Sequence, residues 1–499
     1  MNKFEKLIFI SLILISFYLR FYNIKNLPFF PFSDEVHQAN AVISYLTTGR
    51  DIDGKIHIFF YDQLQYTPPI IGISMIPFLL TLGVNAFSVR LPSIIYSLLS
   101  IFIIYKLTLL LIKNNRIGLL VSFLYAFIPW PFPYSRIGWE QSSFFFFFLI
   151  SIYFLLKGRF KGIYFVLGCL FSGLSIYSYS TATLLSLLFL LAICVLFYQD
   201  FLRNKRSFLR GIFLFFLIVI PVTISYLTEP LMSQRPQRIF VATGKTPSQT
   251  IEVFTTHYLE HLSWSFLFQN GDPNRRHNIK GYGELYPIMF PFIILGLIYF
   301  LRRKDRFSLF IIFWLAVFPL SSALADDGNP HATRSLIGAS LFCILAGAGF
   351  LLFSSWLSRL LKDKVFLKLG IYLILGVVTT ASIFSYFKDY FLVYPQDLYY
   401  SGAWDYGQQE VFEFVKNNLL NYQRVCLNHY NWRKTDIFIH FYLDAEGYKT
   451  KIFNNENIEN CFAKNSLLVL PANQKLIAKP PIFTVFGLDK APVYEIYSF

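Results

Sequence analysis

Apolar runs of membrane-crossing length recur along this chain, and the loops between them carry clusters of lysine and arginine. That alternation restricts the fold more than any motif does. A backbone inside a hydrocarbon layer must satisfy its own hydrogen bonds, and a helix does so within one segment. With 55% hydrophobic residues and 58 phenylalanines in 499 residues, the chain has more apolar surface than a soluble core of that size can hide. It reads as an all-α polytopic membrane protein. The net charge of +15 does not point to nucleic acid, because short basic loops between apolar spans are what the positive-inside rule produces.

The basic clusters set the expected topology. They fall at Lys113 and Arg116, at Lys157, Arg159 and Lys161, at Arg203, Lys205, Arg206 and Arg210, at Arg302, Arg303, Lys304 and Arg306, and at Arg359, Lys362, Lys364 and Lys368. Placing all of them in the cytoplasm together with the N-terminus predicts about eleven helices: 7–19, 88–111, 117–133, 141–156, 162–178, 181–198, 211–227, 286–301, 308–325, 335–355 and 366–386. Lys3 and Lys6 precede the first run and no small-x-small site follows it, so it is expected to be an uncleaved anchor. Residues 68–82, which open with Pro68-Pro69, are short for a span. They are expected to lie on the surface or re-enter it within a long outer loop, 23–87. The other outer segments are then the turn 134–141, the loop 228–285, the turn 326–334 and everything after 387.

This reading divides the chain into a transmembrane domain, 1–387, and a small extracytoplasmic α/β domain, 388–499. In the latter a helical period over 408–420 is followed by strand-like runs at 425–427, 467–470, 482–486 and 493–497. None of the five cysteines has Cys-x-x-Cys spacing or a nearby histidine cluster, so neither zinc nor a disulfide framework is indicated. Cys426 and Cys461 share the tail, and the sequence leaves open whether they pair.

The chemistry is sought where polar residues gather on the outer side. Pro31-Phe-Ser-Asp-Glu-Val-His37 places Asp34 and Glu35 after the first span, with His37 close behind; alone, the two acids also suit the opening turn of a helix. Glu140 is the only acid between Asp62 and Asp200, and Arg136 stands four residues before it as its expected companion. Asn270-Gly-Asp-Pro-Asn-Arg-Arg-His-Asn278 sets Arg275, Arg276 and His277 beside Asp272, a grouping suited to gripping phosphate oxygens. The turn 326–334 adds His331 and Arg334. A carboxylate base facing an acceptor, with cations on a departing phosphate, is an arrangement for transfer from a phosphate donor.

The order of these motifs resembles that of the protein O-mannosyltransferase and aminoarabinose transferase superfamily. It runs from Asp-Glu after the first helix through Arg90-Leu-Pro-Ser93, Tyr-Ser-Arg-Ile-x-x-Glu and Gly-Asp-Pro-x-x-Arg-His to Pro330-His-x-x-Arg334, and covers roughly residues 1–390. The resemblance implies a GT-C fold and an inverting glycosyltransferase that takes its sugar from a polyprenyl phosphate in the bilayer. The acceptor, whether protein, lipid or glycan, stays open. Asp34 would be the base with Glu35 beside it, Glu140 the acid of the second outer loop, Arg276 and His277 the contacts to the lipid phosphate, and His331 and Arg334 a further outer turn. No nucleotide-sugar site and no obligatory metal are expected, although Asp34, Glu35 and Glu140 have the donor set to hold a divalent ion. The tail departs from the eukaryotic mannosyltransferases, whose protein-binding repeat domain it does not show. The alternative class is a transporter or flippase of an amphipathic anion; against it, the spans are nearly free of charge and show no inverted repeat. The expected location is the plasma membrane, crossed many times.

Overall fold

The structure is a computed structural model describing residues 1–29, 32–61, 66–397, 404, 406–427, 435–443, 452–454, 461–474 and 477–499. Helices dominate. They are grouped in two compact units, the first made of Met1–Tyr22, His57–Ile71 and Pro92–Asp389, the second of Asn23–Ile56, Gly72–Leu91 and Tyr390–Phe499.

The first unit is a bundle of apolar helices. Among the described residues six helical segments are long and apolar enough to cross a membrane: Ala86–Ile112, Glu140–Lys157, Lys205–Thr228, Arg306–Ala323, Ile337–Leu360 and Val365–Gln396. The expected count of about eleven is therefore not established, since Asn115–Phe127, Gly162–Ile176 and Ala182–Leu196 are apolar but shorter. Proline explains one shortfall. The span expected over 117–133 stops at Phe127, because Pro129, Pro131 and Pro133 follow and each disfavours helix in the residue before it. Residues 68–82 do form a helix, Pro69–Leu82, whose 14 residues rise about 21 Å against a hydrocarbon core of about 30 Å.

Helix packing in this unit depends on small residues. Phe290–Arg303 lies against Ile337–Leu360 so closely that a methyl group on Gly296 would overlap the Leu345 carbonyl, and one on Gly349 the Phe292 carbonyl. Apolar surface offers little drive for association inside lipid, so such close backbone approach supplies the contact. Aromatic rings fill the gaps: Phe189 meets Phe148, Phe310 and Trp314 edge to face.

The second unit contains a five-stranded mixed sheet in the order Ile452–Asn454, Arg424–Leu427, Ser466–Pro471, Pro492–Ser498, Phe483–Phe486. The first three strands run parallel and the last two pair antiparallel. Four of the five coincide with the strand-like runs in the sequence. Helix Gln408–Asn418 matches the predicted helical period, and Cys426 and Cys461 form a disulfide. The bridge is packed with Leu468, Leu470 and Tyr497 in a small buried core. Helix Ser33–Thr48, which carries Asp34, Glu35 and His37, packs on helix Thr435–Leu443 within the same unit.

Candidate active-site groups

In the second unit, Ser33, Asp34 and Glu35 occupy the first turn of helix Ser33–Thr48. Glu35 at the third position folds back on the Phe32 amide, which donates to Oε2 at 2.9 Å and closes the helix start. The same carboxylate is gripped by Arg90: Nε donates to Oε1 at 2.9 Å and the terminal Nη2 to Oε2 at 3.0 Å, with both side chains fully buried. Arg90 also donates to the carbonyls of Ile24, Pro28 and Phe29. Glu35 is thus held from both sides, whereas Asp34, one residue earlier, is half-buried. His37 is buried on the same helix. Arg90 is a partner that sequence spacing cannot reveal, since 55 residues separate it from Glu35.

In the first unit, Arg136 sits in the short 3₁₀ turn Pro133–Arg136, just ahead of helix Glu140–Lys157. It donates to the carbonyls of Leu19, Arg20 and Tyr22 at 2.7–2.9 Å. These belong to the end of helix Lys3–Phe21, whose last carbonyls lack intrahelical partners and attract a cation. Arg136, expected as the companion of Glu140, thereby anchors the first helix. Glu140 opens its own helix in a half-buried position.

The loop 270–285 is built around Asp272. Its Oδ1 accepts from the Asn274 amide at 2.7 Å, a local turn favoured by the intervening Pro273. Its Oδ2 accepts from the Ala332 amide at 2.7 Å and pairs with His277 Nδ1 at 2.8 Å. One buried carboxylate therefore ties this loop to the turn carrying His331, and the His277 and His331 rings meet tilted at 38° with centroids 4.8 Å apart. The Trp130 indole donates to the Ala332 carbonyl at 2.9 Å and holds the turn. Arg334 pairs with Asp327 in the same turn, while Arg275 and Arg276 are half-buried.

Three titratable groups not singled out from the sequence surround Asp272. Glu284 accepts from the Asp272 amide at 3.0 Å; complete burial, with the Asp272 charge adding to it, pushes its carboxyl well above the usual range. Burial beside Glu284 and Asp272 likewise raises the Tyr134 phenol. His261 is pulled down to about 4 by burial, its Nδ1–H facing the His257 carbonyl and its Nε2 accepting from the His331 amide. Glu284 and His261 lie among ordinary loop residues, and only their burial distinguishes them.

A cavity of about 580 Å³ opens beside Asp272, lined in part by Glu260, Ser263, Asn270, Arg275, Lys280 and Asn329. Acids, amides, hydroxyls and cations around a small aromatic floor at Phe266 form a polar binding surface of the kind that takes a sugar or a phosphate.

Residues 67–224 match the family model described as dolichyl-phosphate-mannose-protein mannosyltransferase. No curated protein sequence matches the chain. The fold is similar to that of ArnT from Cupriavidus metallidurans, crystallised with undecaprenyl phosphate, with a TM-score of 0.59 at 13% identity over 99% of this chain and 98% of that one. It is also similar to the oligosaccharyltransferase of Archaeoglobus fulgidus in its apo form, with a TM-score of 0.53 at 12% identity over 92% of this chain and 65% of that one. The chain has the fold these membrane transferases share.

Proposed function

We propose that the protein is a membrane glycosyltransferase that moves a sugar, with inversion, from a polyprenyl-phosphate donor to a protein, lipid or glycan acceptor on the extracytoplasmic face. The observation that carries this reading is the likeness to ArnT over nearly the whole of both chains, joined to the mannosyltransferase-family match over 67–224. The ArnT structure was obtained with a polyprenyl phosphate bound, which supports the donor class. A transporter of an amphipathic anion, the second reading from the sequence, is not favoured, because the structural likenesses run to transferases.

In this reading Asp34 takes the acceptor proton as the nucleophile attacks the anomeric carbon. Glu35, committed to Phe32 and Arg90, holds the helix start that presents it. Arg276 and His277 stabilise the departing phosphate, with His277 oriented by Asp272; Arg275, His331 and Arg334 add positive charge and donors around them. Glu140 and His37 shape the acceptor or donor site, and Arg136 anchors the first helix beside Glu140. The basic loops face the cytoplasm, which places the N-terminus inside and the C-terminal α/β region outside the plasma membrane. Mannose is the sugar the family match suggests first.

The test is transfer from a defined polyprenyl-phosphate sugar by the purified protein. Asp34→Asn is expected to lower the rate by about 10²–10⁴-fold and Arg276→Ala by about 10–100-fold. An undiminished rate in Asp34→Asn ends the base assignment, and a wild-type protein inert toward a panel of mannosyl, pentosyl and aminopentosyl donors ends the transferase reading.

A further inference from the structure

We infer that Asp272, His277 and His331 form a binding site for a divalent transition-metal ion of the zinc class. The three side chains come from two separate stretches of chain and offer ligand atoms that all lie within 4.8 Å of one another. His277 Nδ1 is 2.8 Å and His331 Nδ1 3.8 Å from the same oxygen, Asp272 Oδ2. Ligands around a tetrahedral zinc with bonds of about 2.0–2.2 Å are separated by about 3.3–3.6 Å, and the two observed spacings bracket that range. At 3.8 Å the His331 nitrogen is beyond hydrogen-bond reach of the carboxylate yet well placed to share a cation with it.

Backbone bonds that a metal would not replace hold the cluster, while the Asp272–His277 hydrogen bond would give way to the ion. Asp272 is fixed by the amides of Asn274 and Ala332. The His331 amide donates to His261, and its ring Nδ1 meets the Thr333 hydroxyl at 2.9 Å, a contact that reorients when the nitrogen binds metal. Trp130 fixes the next carbonyl along. Pre-set ligands of this kind lower the ordering cost of binding.

The donor set selects the ion. Two imidazoles and one carboxylate suit zinc or a neighbouring first-row ion, whereas calcium and magnesium favour an all-oxygen shell. Three protein ligands leave a fourth position for water or an anionic oxygen. The ion would join the loop 270–285 to the turn 326–334 and add positive charge beside Arg275 and Arg276.

The experiment measures metal and needs no transferase activity, so its failure and that of the transfer reading are separable. Full-length protein purified in detergent after growth with zinc is analysed by mass spectrometry, and the expected content is about one equivalent per chain. Chelator-treated wild type is then titrated with Co²⁺, which is expected to give the visible absorption of a four-coordinate site. His277→Gln and His331→Gln are expected to lose that absorption and about tenfold or more in affinity. Should either variant fail to fold, the wild-type titration and a rise in its melting temperature on adding Zn²⁺ decide the matter. Wild type with less than about a tenth of an equivalent and no Co²⁺ absorption overturns the site, leaving a hydrogen-bonded Asp–His pair. So does absorption that survives in both folded variants.

Discussion

Two buried carboxylates, Glu35 and Asp272, each organise one unit, and they differ in what answers their charge. Glu35 faces Arg90, a permanent cation whose fork matches the carboxylate and whose other donors close on backbone carbonyls. Asp272 faces two imidazoles and two backbone amides, beside a Glu284 whose carboxyl burial raises. The first arrangement is saturated and is a structural clamp. The second has neutral donors and imidazoles in place of a permanent cation, so its carboxylate is not closed off by a fixed charge. Identical side-chain chemistry thus acquires opposite roles from its partners.

The contrast is open to attack at several points. The largest effect is expected from Arg90→Ala, which strands Glu35 and its carbonyl neighbours; loss of a buried partner costs about 3–5 kcal/mol, seen as a collapse in melting temperature. Arg90→Ala with Glu35→Gln should recover part of it. A double variant no better than the single would refute the clamp.

Arg136→Ala comes next, with a loss of about 2–3 kcal/mol as the carbonyls of Leu19, Arg20 and Tyr22 lose charged donors. Hydrogen exchange at the end of helix Lys3–Phe21 should rise more than elsewhere. Uniform exchange would remove its anchoring role.

Glu284→Gln is expected to be mildly stabilising, by about 1 kcal/mol at pH 8. The raised carboxyl binds a proton in the folded state that the unfolded chain releases above about 4.5, so wild type loses stability as pH rises, and the amide does not. A melting temperature with the same pH slope in both proteins would contradict a raised Glu284 carboxyl.

The smallest effect concerns His261. Its folded value of about 4 lies below the ordinary 6.5, so the unfolded state takes up a proton first as pH falls. Stability should decline between pH 6.5 and 4, and His261→Gln should flatten that limb. An unaltered limb would assign the acid sensitivity to other groups.

Much of this was visible in the residues themselves. The apolar periodicity located the long helices within a few residues, and alternation in the tail located four strands. Helix lengths were less legible, because prolines 129, 131 and 133 end a run that hydropathy alone extends. The Gly-Asp-Pro-x-x-Arg-His and Pro-His-x-x-Arg stretches stand out as separate motifs. That Asp272 binds the Ala332 amide, 60 residues away, was not contained in either. Glu284, Tyr134 and His261 are not legible in the sequence, because no local pattern marks a side chain for burial.

By itself, the sequence determined the class of the protein: a helical membrane chain with basic loops, polar clusters at recurring intervals and a small α/β tail. These follow from hydrophobicity and charge, which act residue by residue and leave a periodic record. Only the tertiary structure decided the partners, namely Arg90 for Glu35, the first helix for Arg136, the Ala332 amide for Asp272 and Cys461 for Cys426. Pairing depends on distances set by packing across tens to hundreds of residues, and those distances have no period for a sequence to display.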